Sequence, residues 1–399
     1  MKYRVLDVLV CPACQNELHL AVFQTIEKPV TDSITLPPCR RNCAFTEIKD
    51  IKMAEACTQC YGVEIMSGLL TCCCGEWYPI IGGVPRMLIG ELKNTLAQSY
   101  PAFFRTYREV LSGGTLSITS GAINVPEVGV KKRTMYSFAY EWRTFSEYDY
   151  DNFDQWLRGV PSPSFFVGKV GLETGCGAGR HTCRAVTYGA EIFAVDLSEA
   201  VDVAYEKTKA LPMAHIIQAD IYALPFKREY FDFAYCLGVL QHLPDPSAGF
   251  TAIVPFLRAG AMLFVNVYSN ERRVLHFFLD GARHVTTRLP NIATRALAFA
   301  AALIDYGLLI GLYKVLTRNS MVRQVLEPLM WSRIRAYAEG SFLECYADWF
   351  DRLACPVIIR YGRDDVAGWY ADNGLRQVQI ASLNRAFWLA SGVRSGLTT

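Results

Sequence analysis

Nine of the fourteen cysteines fall between Cys11 and Cys74. They stand as Cys11-Pro-Ala-Cys14, Cys39-x-x-x-Cys43, Cys57-Thr-Gln-Cys60 and the run Cys72-Cys73-Cys74. Thiolates two to four residues apart grip one tetrahedral cation from a tight turn, which is the chemistry of zinc. Eight such thiols suit two ions. Cys11, Cys14, Cys72 and Cys74 would hold one, and Cys39, Cys43, Cys57 and Cys60 a second, nested in the intervening loop. Cys72-x-Cys74 is tighter than usual, and Cys73 is an alternative to either. A lone cysteine often packs as a small apolar residue; four clustered groups do not follow that pattern. No histidine or carboxylate lies within a pair to keep a coordination position open, so both sites read as closed and structural.

The second concentration of chemistry is Gly171-Leu-Glu-Thr-Gly-Cys-Gly-Ala-Gly-Arg-His181. Gly175, Gly177 and Gly179 follow a short apolar run and open a helical one. Glycines there let the backbone turn sharply and approach a ligand with no Cβ in the way. Asp196 ends the next apolar run, 21 residues after Gly175. That spacing places an acid to accept hydrogen bonds from ribose hydroxyls. The pattern therefore reads as a nucleoside cradle.

These residues need a sheet to position them. Apolar runs at Phe165–Glu173, Ala190–Leu197, Ala214–Asp220, Phe231–Gly238 and Ala261–Tyr268 alternate with helical stretches. Such alternation predicts a parallel, doubly wound α/β sheet whose ligand lies at the carboxyl ends of the strands. LRQVQIA and FWLASGV would complete it, after a helix at about Asp364–Asn373 stopped by Gly374. The 399 residues carry 51% hydrophobic side chains and a formal net charge of +2, which excludes a largely disordered chain and one built to coat nucleic acid. The N-terminal stretch lacks the pattern of a secretory signal, so a cytoplasmic location is expected. The expected organisation is a zinc-binding region at 1–90, a helical linker and aromatic cap at 91–162, a cofactor-binding core at 163–270, a helical insertion at 271–345 and a C-terminal completion of the sheet at 346–399.

The glycine loop, Asp196, the following QADIYALPF and FDFAYCLGVLQHLPDP resemble, in order and spacing, the class I S-adenosylmethionine-dependent methyltransferases. That family has a seven-stranded Rossmann-like sheet. The resemblance implies that Gly175, Gly177 and Gly179, with Cys176 between them, line the methionine part of the cofactor. Asp196 would hold the ribose, Leu197 would flank the adenine, Asp220 would bond the adenine amino group and Ile221 would cover the ring. Leu237 and Gly238 would face the methionyl group. Glu173 stands where the family usually has Asp, and its longer arm would address the cofactor amine. LDVLVCPACQNELHL with GLLTCCCGEWYPIIGGVPRML resembles the zinc-ribbon activator subunit of some tRNA and rRNA methyltransferases; the segment from Cys39 to Cys60 is extra to the minimal ribbon.

The acceptor is less legible. LGVLQHLP lacks the Asn/Asp-Pro-Pro-Tyr/Phe word of enzymes that methylate exocyclic or amide nitrogens. His242 is either a general base or a packing residue at the start of the next helix. Phe138, Tyr140, Trp142 and Phe145 are either a lid over the cofactor or the core of a cap helix. Resemblance to methyltransferases of small or carrier-linked metabolites implies that Asp351, Arg360 and Tyr361 face the mouth of the site. Between Arg258 and Arg335, eleven Lys/Arg stand against four Asp/Glu. There Ala296–Tyr313 has eighteen residues and one charge, Asp305. A central acid argues against a membrane span. The segment reads as a buried helix of a substrate-covering cap or as an oligomer interface. The sharper alternative is a surface that docks on anionic membrane and receives a lipid-linked substrate. The expectation is thus a methyltransferase with S-adenosylmethionine and two structural zinc ions, acting on a small, sugar-containing or lipid- or carrier-linked metabolite. The alternatives are an RNA methyltransferase docked by its ribbon and a non-catalytic scaffold.

Overall fold

A computed structural model describes residues 1–28, 40, 42–43, 48–49, 58–113, 126–147, 152–157, 163–326 and 332–396. Near the N-terminus, β1 (Leu18–Glu27), β2 (Val63–Cys72), β3 (Trp77–Ile81) and β4 (Val84–Pro85) form an antiparallel sheet in that order. Two tight turns flank it. Gln15 N donates to Cys11 O at 2.8 Å, and Gly75 N donates to Cys72 O at 3.0 Å. Gln15 and Gly75 both adopt positive φ, at 62° and 89°. These turns carry the first and last cysteine groups.

The large sheet is built from β5 (Val170–Thr174), β6 (Glu191–Asp196), β7 (Ala214–Gln218), β8 (Phe231–Leu237), β9 (Leu257–Tyr268), β10 (Leu375–Leu383) and β11 (Phe387–Arg394). Its order is β10-β11-β9-β8-β5-β6-β7, parallel except that β11 runs antiparallel to both β9 and β10. The α/β expectation is met, with one boundary moved. Phe165 and Phe166 precede the first strand, because Gly168 turns the chain at φ 70° and Gly168 N donates to Gly189 O. Their rings pack edge-on against Phe233 instead.

The small sheet closes the open edge at β7. Met87 N donates to Gln218 O at 2.7 Å, and Val10 N donates to Pro225 O at 2.9 Å. An unpaired strand edge is thereby covered. Val5, Val8, Leu9 and Tyr78 share one apolar core with Val170, Phe193 and Phe226. A buried charge cluster pins the joint: Arg4 reaches both oxygens of Glu191 at 2.9 and 2.8 Å and Asp7 at 2.7 Å.

Six helices position the site. α1 (Pro126–Thr144) is the cap, and α2 (Arg180–Thr187) follows the glycine loop. α3 (Arg273–Thr286) and α4 (Asn291–Leu316) belong to the insertion, α4 holding a π turn at Asp305–Ile310. α5 (Phe342–Ala354) starts in a capping box between Ser341 and Glu344 and crosses the expected boundary at 345. α6 (Arg363–Asp372) ends at Gly374, φ 68°. The expectation that Ala296–Tyr313 is a buried helix is corrected: only one side of α4 is covered, and Leu303, Ile304 and Leu308 are exposed.

Candidate active site

The carboxyl ends of β5 to β9 open into a cavity of about 750 Å³. Gly175 and Gly177 form its floor, and Gly179 follows beneath it against Ala204; all three have positive φ (82°, 51° and 79°). Space as well as φ demands glycine here. A Cβ on Gly175 would stand 2.2 Å from Val239 Cγ2, and one on Gly177 would stand 2.9 Å from the Trp142 ring. Of the residues expected at the cofactor, Cys176, Asp196, Leu197, Asp220, Ile221, Leu237, Gly238 and Trp142 also line the cavity.

Asp196 is held rather than loose. Its carboxylate accepts from Gly177 N at 2.9 Å, Ser198 N at 2.8 Å and Ser198 Oγ at 2.7 Å. A carboxylate has about four acceptor positions, so one remains for a ligand. Burial raises its pKa against those three bonds. Asp220 accepts from Tyr222 N at 3.1 Å and from Lys131 Nζ of the cap at 2.9 Å. Sequence reasoning missed Lys131. Its only signal was one cation among many at the start of a helix whose packing was unknown.

Three expected residues do not reach the cavity: Gly179, which packs on Ala204, Glu173 and Tyr361. Glu173 lies beneath the glycine loop, where Thr182 Oγ1 and Tyr235 OH donate to it at 2.5 and 2.9 Å. Burial pushes its pKa up to about 7, against those two bonds. Glu173 therefore braces β5 on α2, and the longer arm explains why it bonds these neighbours. Tyr361 is turned away. Its ring packs on Trp369, and its carbonyl accepts from Asn270 N and Trp388 Nε1. Arg360 does line the cavity, paired with Asp280 at 2.8 and 2.9 Å.

A second group of side chains lines the same cavity: Glu141 of the cap, His242 after β8, Tyr268 of β9, and Asp348, Asp351 and Arg352 of α5. Burial, reinforced by Asp351 and Asp348, pushes the Glu141 carboxyl well above its ordinary value. Burial likewise raises Asp351, which accepts from Tyr268 OH at 3.2 Å. Burial lowers the His242 pKa, so its ring is neutral near pH 7. His242 Nδ1 lies 2.8 Å from Val357 O. A carbonyl only accepts, so Nδ1 carries the proton and Nε2 keeps a lone pair. His242 lines the cavity, and Nε2 has no hydrogen-bond partner among the described residues.

Gln241 was also missed. It is fully buried and lines the cavity, yet neither its oxygen nor its nitrogen has a partner among the described residues. A buried amide left unpaired is costly, which marks Gln241 as a candidate ligand-facing group. The aromatic word divides. Phe138 and Trp142, four apart on α1, line the cavity, whereas Tyr140 and Phe145 pack on Phe350 of α5.

Away from the cavity, the thiols of Cys11, Cys14, Cys72 and Cys74 lie within 4.8 Å of one another. Cys11 and Cys74 are 3.7 Å apart and Cys14 and Cys72 are 3.3 Å apart. Four thiolates at about 2.3 Å from one ion would be about 3.8 Å apart, so the cluster fits zinc. Cys73 is exposed and outside the four. Of the second expected set, Cys39 and Cys57 and the Cys43 side chain lie outside the described residues. Cys60 is buried against Tyr61 and Val84.

Residues 172–265 match the family described as a methyltransferase domain, and residues 2–83 match the Trm112p-like proteins. A ubiquinone biosynthesis O-methyltransferase of Thiobacillus denitrificans is 30% identical over 140 residues, spanning 34% of this chain and 60% of that protein. One from Coxiella burnetii is 29% identical over 127 residues, spanning 31% and 54%. The chain thus covers little more than half the length of these curated relatives. Among solved structures, a complex between the Haloferax volcanii Trm112 methyltransferase activator and a putative methyltransferase aligns at 13% identity with a TM-score of 0.38, covering 67% of this chain and 99% of that one. The Burkholderia thailandensis 1,6-didemethyltoxoflavin-N1-methyltransferase aligns at 12% identity with a TM-score of 0.40, covering 69% and 93%.

Proposed function

We propose that this chain, in which a Trm112p-like domain precedes a methyltransferase domain, transfers the methyl group of S-adenosylmethionine to a hydroxyl oxygen of a small or lipid- or carrier-linked acceptor. The observation that carries the reading is one cavity lined both by a glycine-floored cradle with Asp196 and Asp220 and by a neutral His242. The name of the curated relatives, O-methyltransferases, supports an oxygen acceptor.

S-adenosylmethionine supplies a methyl group on a positively charged sulfur, already a good leaving group. Gly175–Gly179 allow the close approach, Asp196 takes the ribose hydroxyls at its remaining acceptor position, and Asp220 takes the adenine amino group. The unpaired Gln241 amide serves the methionyl end or the acceptor. With the leaving group good, positioning the nucleophile supplies much of the rate. His242 Nε2 accepts the hydroxyl proton as the oxygen–carbon bond forms and the sulfur–carbon bond breaks, then returns it to solvent. Glu141 and Asp351, whose pKa values burial raises, bond other hydroxyls of the acceptor. Cys11, Cys14, Cys72 and Cys74 hold one zinc, which ties the two cysteine turns together and stabilises the ribbon.

Titration calorimetry with S-adenosylhomocysteine tests the cradle. Asp196→Ala removes a charge-assisted bond to the ribose and is expected to weaken binding by more than about tenfold. Unchanged affinity would refute the assignment.

A further inference from the structure

The insertion leaves an apolar surface that no part of the described chain covers. α3 and α4 both rest on α5, and each turns its other side to solvent. From Ala298 onward, the inward positions of α4 are Ala298, Ala302, Asp305, Ile310 and Tyr313, all buried. The steps between them are four, three, five and three residues. The five-residue step falls in the π turn Asp305–Ile310, whose wider turn absorbs the extra residue and keeps both faces in register. Leu303, Ile304, Leu308, Leu312 and Val315 therefore stay outward, Leu308 at 66% exposure. α3 has the same two sides. Phe277 and Phe278 are 76% and 68% exposed, while Arg272 before it and its own His276 and Leu279 line the cavity.

α4 has 26 residues and enough apolar character to cross a bilayer, but its placement argues against crossing. Asp305, in the middle of the apolar stretch, faces the protein and accepts from Trp349 Nε1 at 2.9 Å. One side of the helix is committed to α5 and only the other is apolar and bare. That is the arrangement of a helix lying in a membrane interface. Exposed apolar patches of this kind mark partner or membrane contacts.

Charge selects between the two. Residues 271–326 hold eight Lys/Arg against three Asp/Glu. Of the acids, Asp305 is buried and Asp280 is paired with Arg283 and Arg360. Arg288, Arg318 and Arg323 are exposed. Two copies meeting through this face by a two-fold axis would bring the same cations together. An anionic lipid surface would neutralise them.

We propose that α3 and α4 dock flat on an anionic phospholipid bilayer, and that the acceptor is membrane-dissolved and enters the cavity past Arg272, His276 and Leu279. The docking stands on the surface alone; the acceptor class rests on the methyl-transfer reading above. Co-sedimentation of the full chain with vesicles tests it, using phosphatidylcholine alone or mixed with phosphatidylglycerol. The wild type is expected to sediment with the mixed vesicles and at least about tenfold less with phosphatidylcholine alone. The triple variant Ile304→Glu/Leu308→Glu/Leu312→Glu, at solvent-facing positions, is expected to lose at least about tenfold in binding to the mixed vesicles. It should keep the wild-type unfolding temperature and S-adenosylhomocysteine affinity. Absence of wild-type binding to mixed vesicles would overturn the proposal, as would a wild-type dimer in light scattering that the triple variant splits. Loss of S-adenosylhomocysteine binding in the wild type would strike the methyl-transfer reading and leave the docking result intact.

Discussion

Arg4→Met should separate the energetics of the ribbon joint from those of ordinary core packing. Arg4 is fully buried and binds Glu191 through two nitrogens, with Tyr61 OH also bonded to both residues. Glu191 begins β6, the strand that ends at Asp196 in the cradle. Burial alone would raise the Glu191 pKa; Arg4 and the His215 bond overcome it and bring the value down to about 2 from 4.5. At about 1.4 kcal/mol per pH step, that gap is worth about 3 kcal/mol of stability. Removing one partner of a buried pair independently suggests a loss of about 3–5 kcal/mol, because the other charge is left uncompensated.

The sign follows from the direction. Glu191 is depressed in the folded state, so its contribution is complete above pH 4.5 and is lost as pH falls towards 2. Urea unfolding of the wild type should therefore lose about 3 kcal/mol across that window from this group. Arg4→Met should be destabilised by about 3–5 kcal/mol at pH 7 and should lose much less on acidification. Arg4→Met/Glu191→Gln removes one of the two stranded charges, Asp7 keeping its bonds from Tyr230 OH and Arg40 N, retains an acceptor for Tyr61 and His215, and should recover much of the deficit. A loss below about 1 kcal/mol at pH 7, or unfolding curves for Arg4→Met and wild type that stay parallel down the acid window, would refute the reasoning.

Two further outcomes bear on the metal and the base. Cys14→Ser should cost the ribbon the zinc held with Cys11, Cys72 and Cys74; elemental analysis showing wild-type zinc content would reject the cluster as a ligand set. His242→Gln should lower turnover by about a hundredfold or more with S-adenosylhomocysteine affinity unchanged. Because burial depresses its pKa, wild-type activity should fall only below the ordinary histidine range, and the variant should lack that acid limb. Full activity in the variant would make His242 a packing residue.

What was legible in the sequence was whatever depends on neighbours along the chain. Strand alternation, the glycine loop, Asp196 and the cysteine turns are local patterns, and each carries its geometry in its spacing. What was not legible depends on contacts made by residues far apart. Lys131 meets Asp220 across 89 positions, and nothing around either residue announces the other. Tyr361 sits beside Arg360 in sequence, yet a backbone bridge to Ser269 sends the two side chains to different places. The aromatic cap was ambiguous because residues 138 and 142 share one helix face and 140 another. α4 stayed open between a buried cap helix, an oligomer interface and a membrane-docking surface because a hydrophobic stretch records only that water is avoided. It does not say whether protein or lipid replaces the water.

The polar joint at Arg4 and the bare face of α4 place opposite demands on the contacts they make. Replacing a buried ion pair by apolar residues is often neutral or stabilising, so Arg4–Glu191 is weak as a stability device. Its geometry is specific, however: a guanidinium fork meets a carboxylate at two points and a second acid, Asp7, at a third. That arrangement fixes one register of the ribbon on β6, where an apolar contact would tolerate sliding. A membrane face needs the converse, a surface indifferent to register that tolerates lateral motion, and α4 offers leucine and isoleucine with exposed arginines nearby. On the proposed docking, the cradle is braced by a directional contact and supplied from a non-directional one. A substitution at Arg4 should accordingly alter cofactor binding through β6, whereas one at Leu308 should alter only access of the acceptor.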